Sequence, residues 1–250
     1  LPVCRLVSSR ARSWVCELAE QHAKVEENGL SEQNASRGIL DAAERIFALH
    51  GFEGASMRQI SVEAGVAQAL LHYHFGTKEK LYEAMFSRRS DAINTERAAR
   101  LDALFAVDGG HPPSLASLLE ALFRPTVEFG HEGQAGNMFS RVLAATANAD
   151  DERSRTLIAA HYDAIARRFI EAFQQVVPGL KPSDAAWSYM FAIGVGMTMM
   201  AATGRAGRLS DGICNDSDVD AVMARIVPFI SAGIEALADG GRRSRTSPRI

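Results

Sequence analysis

Cysteine is scarce in this chain: three occur in 250 residues, Cys4, Cys16 and Cys214, at spacings that fit neither a metal site nor a disulfide framework. They point to a reducing compartment. Runs of alternating β-branched residues between turn signals are missing, and nearly every segment from Leu81 onward has helical periodicity, so the fold is expected to be all-α. No glycine-rich phosphate loop follows a strand, no nucleophile elbow is present, and no helix carries a histidine-glutamate metal motif. Catalysis is therefore not expected, and neither is a cofactor or a metal. Long apolar runs are lacking too. The stretch from Met190 to Ala202 is thirteen residues with two glycines and a threonine, short of the roughly 20 needed to cross a bilayer, so no membrane is expected. Excess positive charge is also absent: the net charge is -3 and the pI near 6.2, which excludes a global field that attracts nucleic acid. Residues 1–34 contain no continuous apolar stretch of the signal-peptide kind, and a cytoplasmic location is expected.

What is present is concentrated between Ser56 and Lys78. Ser56 with Gln59 has the form of a capping box and starts a helix, which Gly65 stops by supplying a left-handed turn. A second helix runs from about Ala67 to Tyr73 or His74, where Phe75-Gly76-Thr77 breaks it, and Thr77 with Lys80 looks like the cap of a third. A seven-residue helix is not stable alone in water, because isolated helices below about 12 residues are marginal. It needs a scaffold. Ile39, Ala42, Ala43, Ile46, Phe47 and Leu49 recur at helical spacing just upstream, closed by His50-Gly51. With Leu70 and Leu71 turned toward that stripe, Gln68, Ala69, His72 and Tyr73 face outward, a polar and aromatic surface suited to the major groove. The arrangement is a helix-turn-helix.

These residues resemble the N-terminal DNA-binding domain of the TetR-family transcriptional repressors. The likeness covers Ile39 to Leu81, in the segments beginning Ile39-Leu-Asp-Ala-Ala-Glu-Arg, Met57-Arg-Gln-Ile-Ser-Val-Glu and Tyr73-His-Phe-Gly-Thr-Lys. The resemblance implies that Arg58 and Gln68 touch bases and that Ala69 makes apolar contact. It also implies that His72 and Tyr73 meet backbone or base edges and that Lys78 sits on a phosphate; Ser56 and Met57 complete the DNA-facing set. Two departures stand out: Ala67 replaces a common capping serine, and His72-Tyr73 reverses the usual order. Alternatively, Arg58 pairs with Glu63. A His72–His74 metal pair is disfavoured because residues two apart on a helix point away from each other.

Between Ser36 and Ser90 seven Lys or Arg stand against six Asp or Glu, so phosphate binding rests on local placement of Arg58, Lys78 and Lys80 and on a second copy. A twofold pair spaced by about 34 Å reads a palindrome. The expected organisation is a flexible arm over 1–35, the helix-turn-helix domain over 36–86, a ligand-binding and dimerisation domain over 87–238, and a basic disordered tail over 239–250. The last two long helices, one capped by Ser183 and one by Asp216 or Ser217, carry the expected dimer interface: Phe191, Val195, Met199, Val222, Ile226, Phe229 and Ile230, with Gly194 and Gly196 allowing close approach. The alternative is that they form the core of a monomer. Phe123, Phe139, Val142, Ile165, Phe169, Trp187 and Met190 are expected around an effector cavity, with His161, Tyr162 and Arg141 as polar candidates. Plain core is the competing reading. Trp187 to Met200 and Ile226 to Glu235 resemble the effector domain of PsrA-type regulators, which implies a fatty-acyl or other apolar effector. The expected function is a homodimeric repressor of operator DNA released by that effector; the alternative is a helical protein–protein adaptor.

Overall fold

The structure, a computed structural model, describes residues 32, 34–106 and 112–243. Most of the expected arm, 1–35, and the end of the expected tail, 244–250, lie outside the described residues. Helix α1 spans 34–54, with Gly51 at φ +68 near its end. It is followed by α2 (Met57–Glu63), α3 (Gln68–Phe75), α4 (Lys78–Ala106), α5 (Leu115–His131), α6 (Gly133–Asn148), α7 (Glu152–Val176), α8 (Pro182–Met200), α9 (Arg205–Leu209) and α10 (Val219–Arg243). Among the described residues there is no strand.

The local code around α2 and α3 acts as expected. The Ser56 hydroxyl accepts from the Gln59 amide at 3.2 Å while the Gln59 carboxamide accepts from the Ser56 amide at 2.9 Å. Gly65 adopts φ +67 and turns the chain. Ala67 provides α3 with no side-chain cap, and Thr77 Oγ1 accepts from the Lys80 amide at the start of α4. Leu71 is fully buried against Ile39, Ala42, Ile46 and Ile60, but Leu70 is exposed, contrary to expectation. Adjacent helical residues are about 100° apart, so only one of the two can enter the small core.

This N-terminal unit is fastened to the rest of the chain. Arg88 and Arg89 of α4 reach Asp41 and the buried Glu44 of α1, each with a 2.7 Å contact. The Tyr82 hydroxyl meets Thr146 Oγ1 of α6 at 2.6 Å, and the Arg153 guanidinium at the start of α7 lies 3.3 Å from the Phe52 ring centroid. The core of the unit continues into Phe139, Val142 and Leu157.

In the larger domain α5 is central, packed between α4, α7, α8 and α10 through Leu118, Leu122, Phe123, Phe169, Phe173 and Ile226. At Gly130 a Cβ would fall 2.2 Å from the Met200 carbonyl oxygen, so only glycine lets α5 meet the end of α8. Three expected boundaries differ. Lys181 is the N-cap residue of α8 and Pro182 its first residue, so Ser183 lies inside the helix. Asp218 rather than Asp216 or Ser217 caps α10, accepting from the Ala221 amide at 3.0 Å. Helix α10 continues to Arg243, into the expected tail, and α9 was not anticipated.

The apolar stripe Val222, Ile226 and Ile230, expected at a dimer interface, is buried in the subunit's own core. Its four-residue spacing keeps it on the face of α10 that meets α5 and α8. Val219–Asp239 is long and apolar enough to cross a membrane, with mean hydropathy 1.6, and 39% of it is buried within the subunit.

Candidate DNA-contacting surface and effector cavity

Helix α3 presents Gln68, Ala69, His72 and Tyr73 to the outside, with Tyr73 76% exposed. His72 Nδ1 lies 2.8 Å from the Gly76 carbonyl, which can only accept, so this nitrogen carries the proton in the neutral ring. Nε2 then accepts from the Gln68 carboxamide nitrogen at 3.3 Å. This contact orients the Gln68 amide before any partner arrives, leaving its carbonyl oxygen and one N–H to read a base edge. Arg58 is exposed near the start of α2 and makes no ion pair among the described residues; Glu63, its expected alternative partner, holds Arg45 at 2.7 Å. Ser56 is exposed but engaged in the capping box, and Met57 is half-buried.

Lys78 is placed differently from a free phosphate ligand. Its Nζ donates to the carbonyls of Phe52 at 2.9 Å and Ala55 at 3.2 Å and lies 4.3 Å from the Phe52 ring centroid. Glu79 follows in the first turn of α4, its carboxyl held below its ordinary pKa by its own backbone amide and then by Thr77. That helix start already carries a carboxylate. Of the seven cations between Ser36 and Ser90, only Arg37, Arg58 and Lys80 are exposed without a partner among the described residues.

A cavity of about 480 Å³ opens among α4, α5, α6, α7 and α8. Phe123, Tyr162 and Met190 line it, as the sequence reading expected. The other expected residues do not. Phe139 packs edge-on against Phe129 and Val142 lies in the same core; Ile165 and Phe169 are buried with α5. Arg141 is exposed away from the cavity, and Trp187 is exposed and stacked on Phe191 at 5.6 Å. His161 is engaged between Ser87 Oγ and Asp91 Oδ1, each at 3.0 Å. These contacts have the order of a hydrolytic triad, but Ser87 lies mid-helix, where backbone amides are held in the helical ladder and none can form an oxyanion hole. The set joins α4 to α7.

The sequence reading missed apolar lining residues such as Leu143, Ile158, Ile193 and Met197, and the polar Arg97, Thr126 and Tyr189. Arg97 is only 3% exposed; its Nε donates to the Leu122 carbonyl at 3.0 Å, Nη1 to Asn94 Oδ1 at 3.1 Å and Nη2 to Thr126 Oγ1 at 2.5 Å. Tyr162 donates to Ser90 Oγ at 3.0 Å, and burial pushes the phenol pKa of both Tyr162 and Tyr189 up. Arg97 was detectable in principle. Phe86, Ser90, Ile93, Arg97 and Leu101 follow helical spacing, and a cation inside an apolar stripe signals a buried one.

Helices α8 and α10 also expose large apolar side chains, of which Met190 reaches the cavity as well. On α8 Trp187, Met190 and Phe191 are exposed, while Ala185, Ser188, Tyr189, Ala192, Gly196 and Met200 face in. Phe229 of α10 is 71% exposed. Val195 and Met199 are half-buried against their own subunit, and Gly196 accommodates Phe123 of the same chain rather than another helix.

A helix-turn-helix unit carried on a long helix that also walls a cavity in a larger helical domain defines a class of bacterial regulatory proteins. Family models agree on both parts: the one described as "Bacterial regulatory proteins, tetR family" matches residues 39–85 and "Tetracyclin repressor-like, C-terminal domain" matches 120–233, together more than half of the chain. The chain belongs to the TetR family. It is 36% identical over 77 residues to the HTH-type transcriptional repressor AcnR of Corynebacterium efficiens, a match covering 31% of this chain and 40% of that protein. Thus the chain spans less than half the length of this curated relative. Among solved structures, AibR in complex with isovaleryl coenzyme A and operator DNA superposes with a TM-score of 0.59 at 21% identity, over 78% of this chain and 97% of that one. The fatty acid degradation regulator FadR from Bacillus halodurans gives 0.57 at 14% identity, over 77% and 94%. These two likenesses are of fold.

Proposed function

We propose that this protein is a ligand-responsive, DNA-binding transcriptional regulator of the cytoplasm, acting as a repressor that binds a palindromic operator as a homodimer and is released by a small effector. The observation that carries this reading is the shared helix. Helix α4 begins immediately after the outward-facing Gln68, Ala69, His72 and Tyr73, and nineteen residues later it supplies Arg97 to the cavity. That is about 28 Å of continuous helix, stiff enough to convert a shift at the cavity into a displacement of α3. A ligand moves this equilibrium only by the difference in its affinity for the two arrangements. Support for the dimer comes from Trp187, Met190 and Phe191 of α8, which face solvent together with Phe229. A second copy would cover them and set two α3 helices a groove repeat apart.

Effector binding falls to the cavity residues Phe123, Tyr162 and Met190, and DNA contact to Arg58, Gln68, Ala69, His72 and Tyr73, with Ser56, Met57 and Lys78 supporting. Binding of a duplex selected from a random pool, followed by gel shift, tests the reading. Gln68→Ala combined with Tyr73→Ala is expected to abolish the shift while sedimentation and helix content stay unchanged. A normal shift by this variant would refute the site, and selection of no duplex by the native chain would favour the adaptor reading.

A further inference from the structure

The cavity contains a cation with no anion. Arg97 cannot give up its proton, it is almost fully buried, and its three partners, Leu122 O, Asn94 Oδ1 and Thr126 Oγ1, are all neutral. No carboxylate lies within ion-pair distance of it among the described residues; Asp163, the acid on the cavity wall, pairs with Arg167 at 3.3 Å. Removing a lone guanidinium from water is unfavourable, and an anion in the same space would offset that penalty. A second observation is independent of the first. Tyr189 lines the cavity, is 6% exposed, feels the charge of Arg97, and its hydroxyl has no hydrogen-bond partner among the described residues. A neutral phenol beside a guanidinium is a donor waiting for an acceptor oxygen. The remaining wall carries Thr126, Asn148, Tyr162 and the paired Asp163 and Arg167, and its apolar part includes Phe123, Ile158 and Ile193.

Resting on the reading of this space as the effector site, we propose that the effector is an amphipathic carboxylate, its acid group held by Arg97 and Tyr189 and its hydrocarbon body lying along Phe123, Ile158 and Ile193. The acid competes for Arg97 N–H groups that otherwise fasten α4 to Leu122 and Thr126 of α5. Binding thereby loosens the α4–α5 junction, which is the step that α3 would sense.

Calorimetric titration of the full chain with decanoate, decanol and decanoyl-coenzyme A tests this. Because charge-assisted hydrogen bonds contribute about 1.5–3 kcal/mol, decanoate is expected to bind roughly tenfold or more tighter than decanol. In Arg97→Met that preference disappears while decanol affinity holds, and in Tyr189→Phe decanoate alone weakens severalfold. Should Arg97→Met not fold, the acid–alcohol comparison on the native chain and Tyr189→Phe still decide the matter. Equal binding of acid and alcohol overturns the proposal but leaves the cavity reading intact. A decanoyl-coenzyme A affinity above that of decanoate and lost in Arg97→Met overturns it by assigning the anion to phosphate. If neither decanoate nor decanol binds, the effector-site reading falls as well.

Discussion

Cationic side chains that look alike in sequence differ in their freedom to neutralise phosphate, and this difference can be measured. Arg45, Arg88 and Arg89 are tied to Glu63, Asp41 and Glu44, and Lys78 is held by two carbonyls, which leaves Arg37, Arg58 and Lys80 in each copy. A dimer then neutralises about six phosphates, for which the logarithm of affinity falls with the logarithm of salt at a slope of about -5. A fourfold rise in salt costs about a thousandfold in affinity at that slope. Were all seven cations per copy engaged, the slope would be about -13. Fluorescence anisotropy with a selected duplex, repeated across salt concentrations, separates the two cases. Arg58→Gln should reduce the slope by about 2 in the dimer, and Arg45→Gln should leave it alone. A slope near the steeper value, or equal reductions for both variants, would refute the assignment of free and engaged cations.

Three further outcomes are expected. Leu71→Ala removes a fully buried side chain from the core beneath α3 and should cost about 2–5 kcal/mol in denaturant unfolding, whereas Leu70→Ala should cost far less. Phe229→Glu should yield a monomer by sedimentation with helix content retained, while Ile226→Ala should lower thermal stability of the subunit itself; the reverse pattern would exchange the two faces of α10. Tyr82, Tyr162 and Tyr189 have phenol pKa values raised chiefly by burial. Below the ordinary phenol pKa of about 10 both states are neutral, and above it the unfolded chain loses protons that the folded one retains, so stability should decline as pH climbs past about 10. Denaturant midpoints that stay flat through that range would contradict the burial of these rings.

The helix-turn-helix was legible because its signals are local and chemically specific. Ser56 with Gln59, Gly65, and Gly76 with Thr77 each act within one turn of chain, so their meaning does not depend on distant packing. The engagement of Lys78 was not legible, because it depends on carbonyls more than twenty residues away that end α1. Cavity residues failed for a related reason. An aromatic at helical spacing marks a buried face without saying whether the space beyond it is filled, and Phe139 and Phe169 meet other rings where Phe123 and Tyr162 meet a void.

Helices α8 and α10 show why the interface was harder to read than the core. The more regular apolar stripe on α10, Val222 through Ile234, belongs to the subunit interior, and Phe229 stands alone among small and charged neighbours on the other side. Helix α10 carries its apolar stripe toward its own core and Phe229 on the opposite face. Hydropathy reports the sum of the two faces, and α10 reaches the mean of a membrane span. In α8 the inward positions are Tyr189 and Met200 together with Ala185, Ser188, Ala192 and Gly196, while Trp187, Met190 and Phe191 are exposed. Leaving Trp187, Met190 and Phe191 exposed makes little sense for an isolated subunit, since fully burying such a side chain contributes about 1.5–3 kcal/mol. It does make sense if the outer face is the one that a second copy covers.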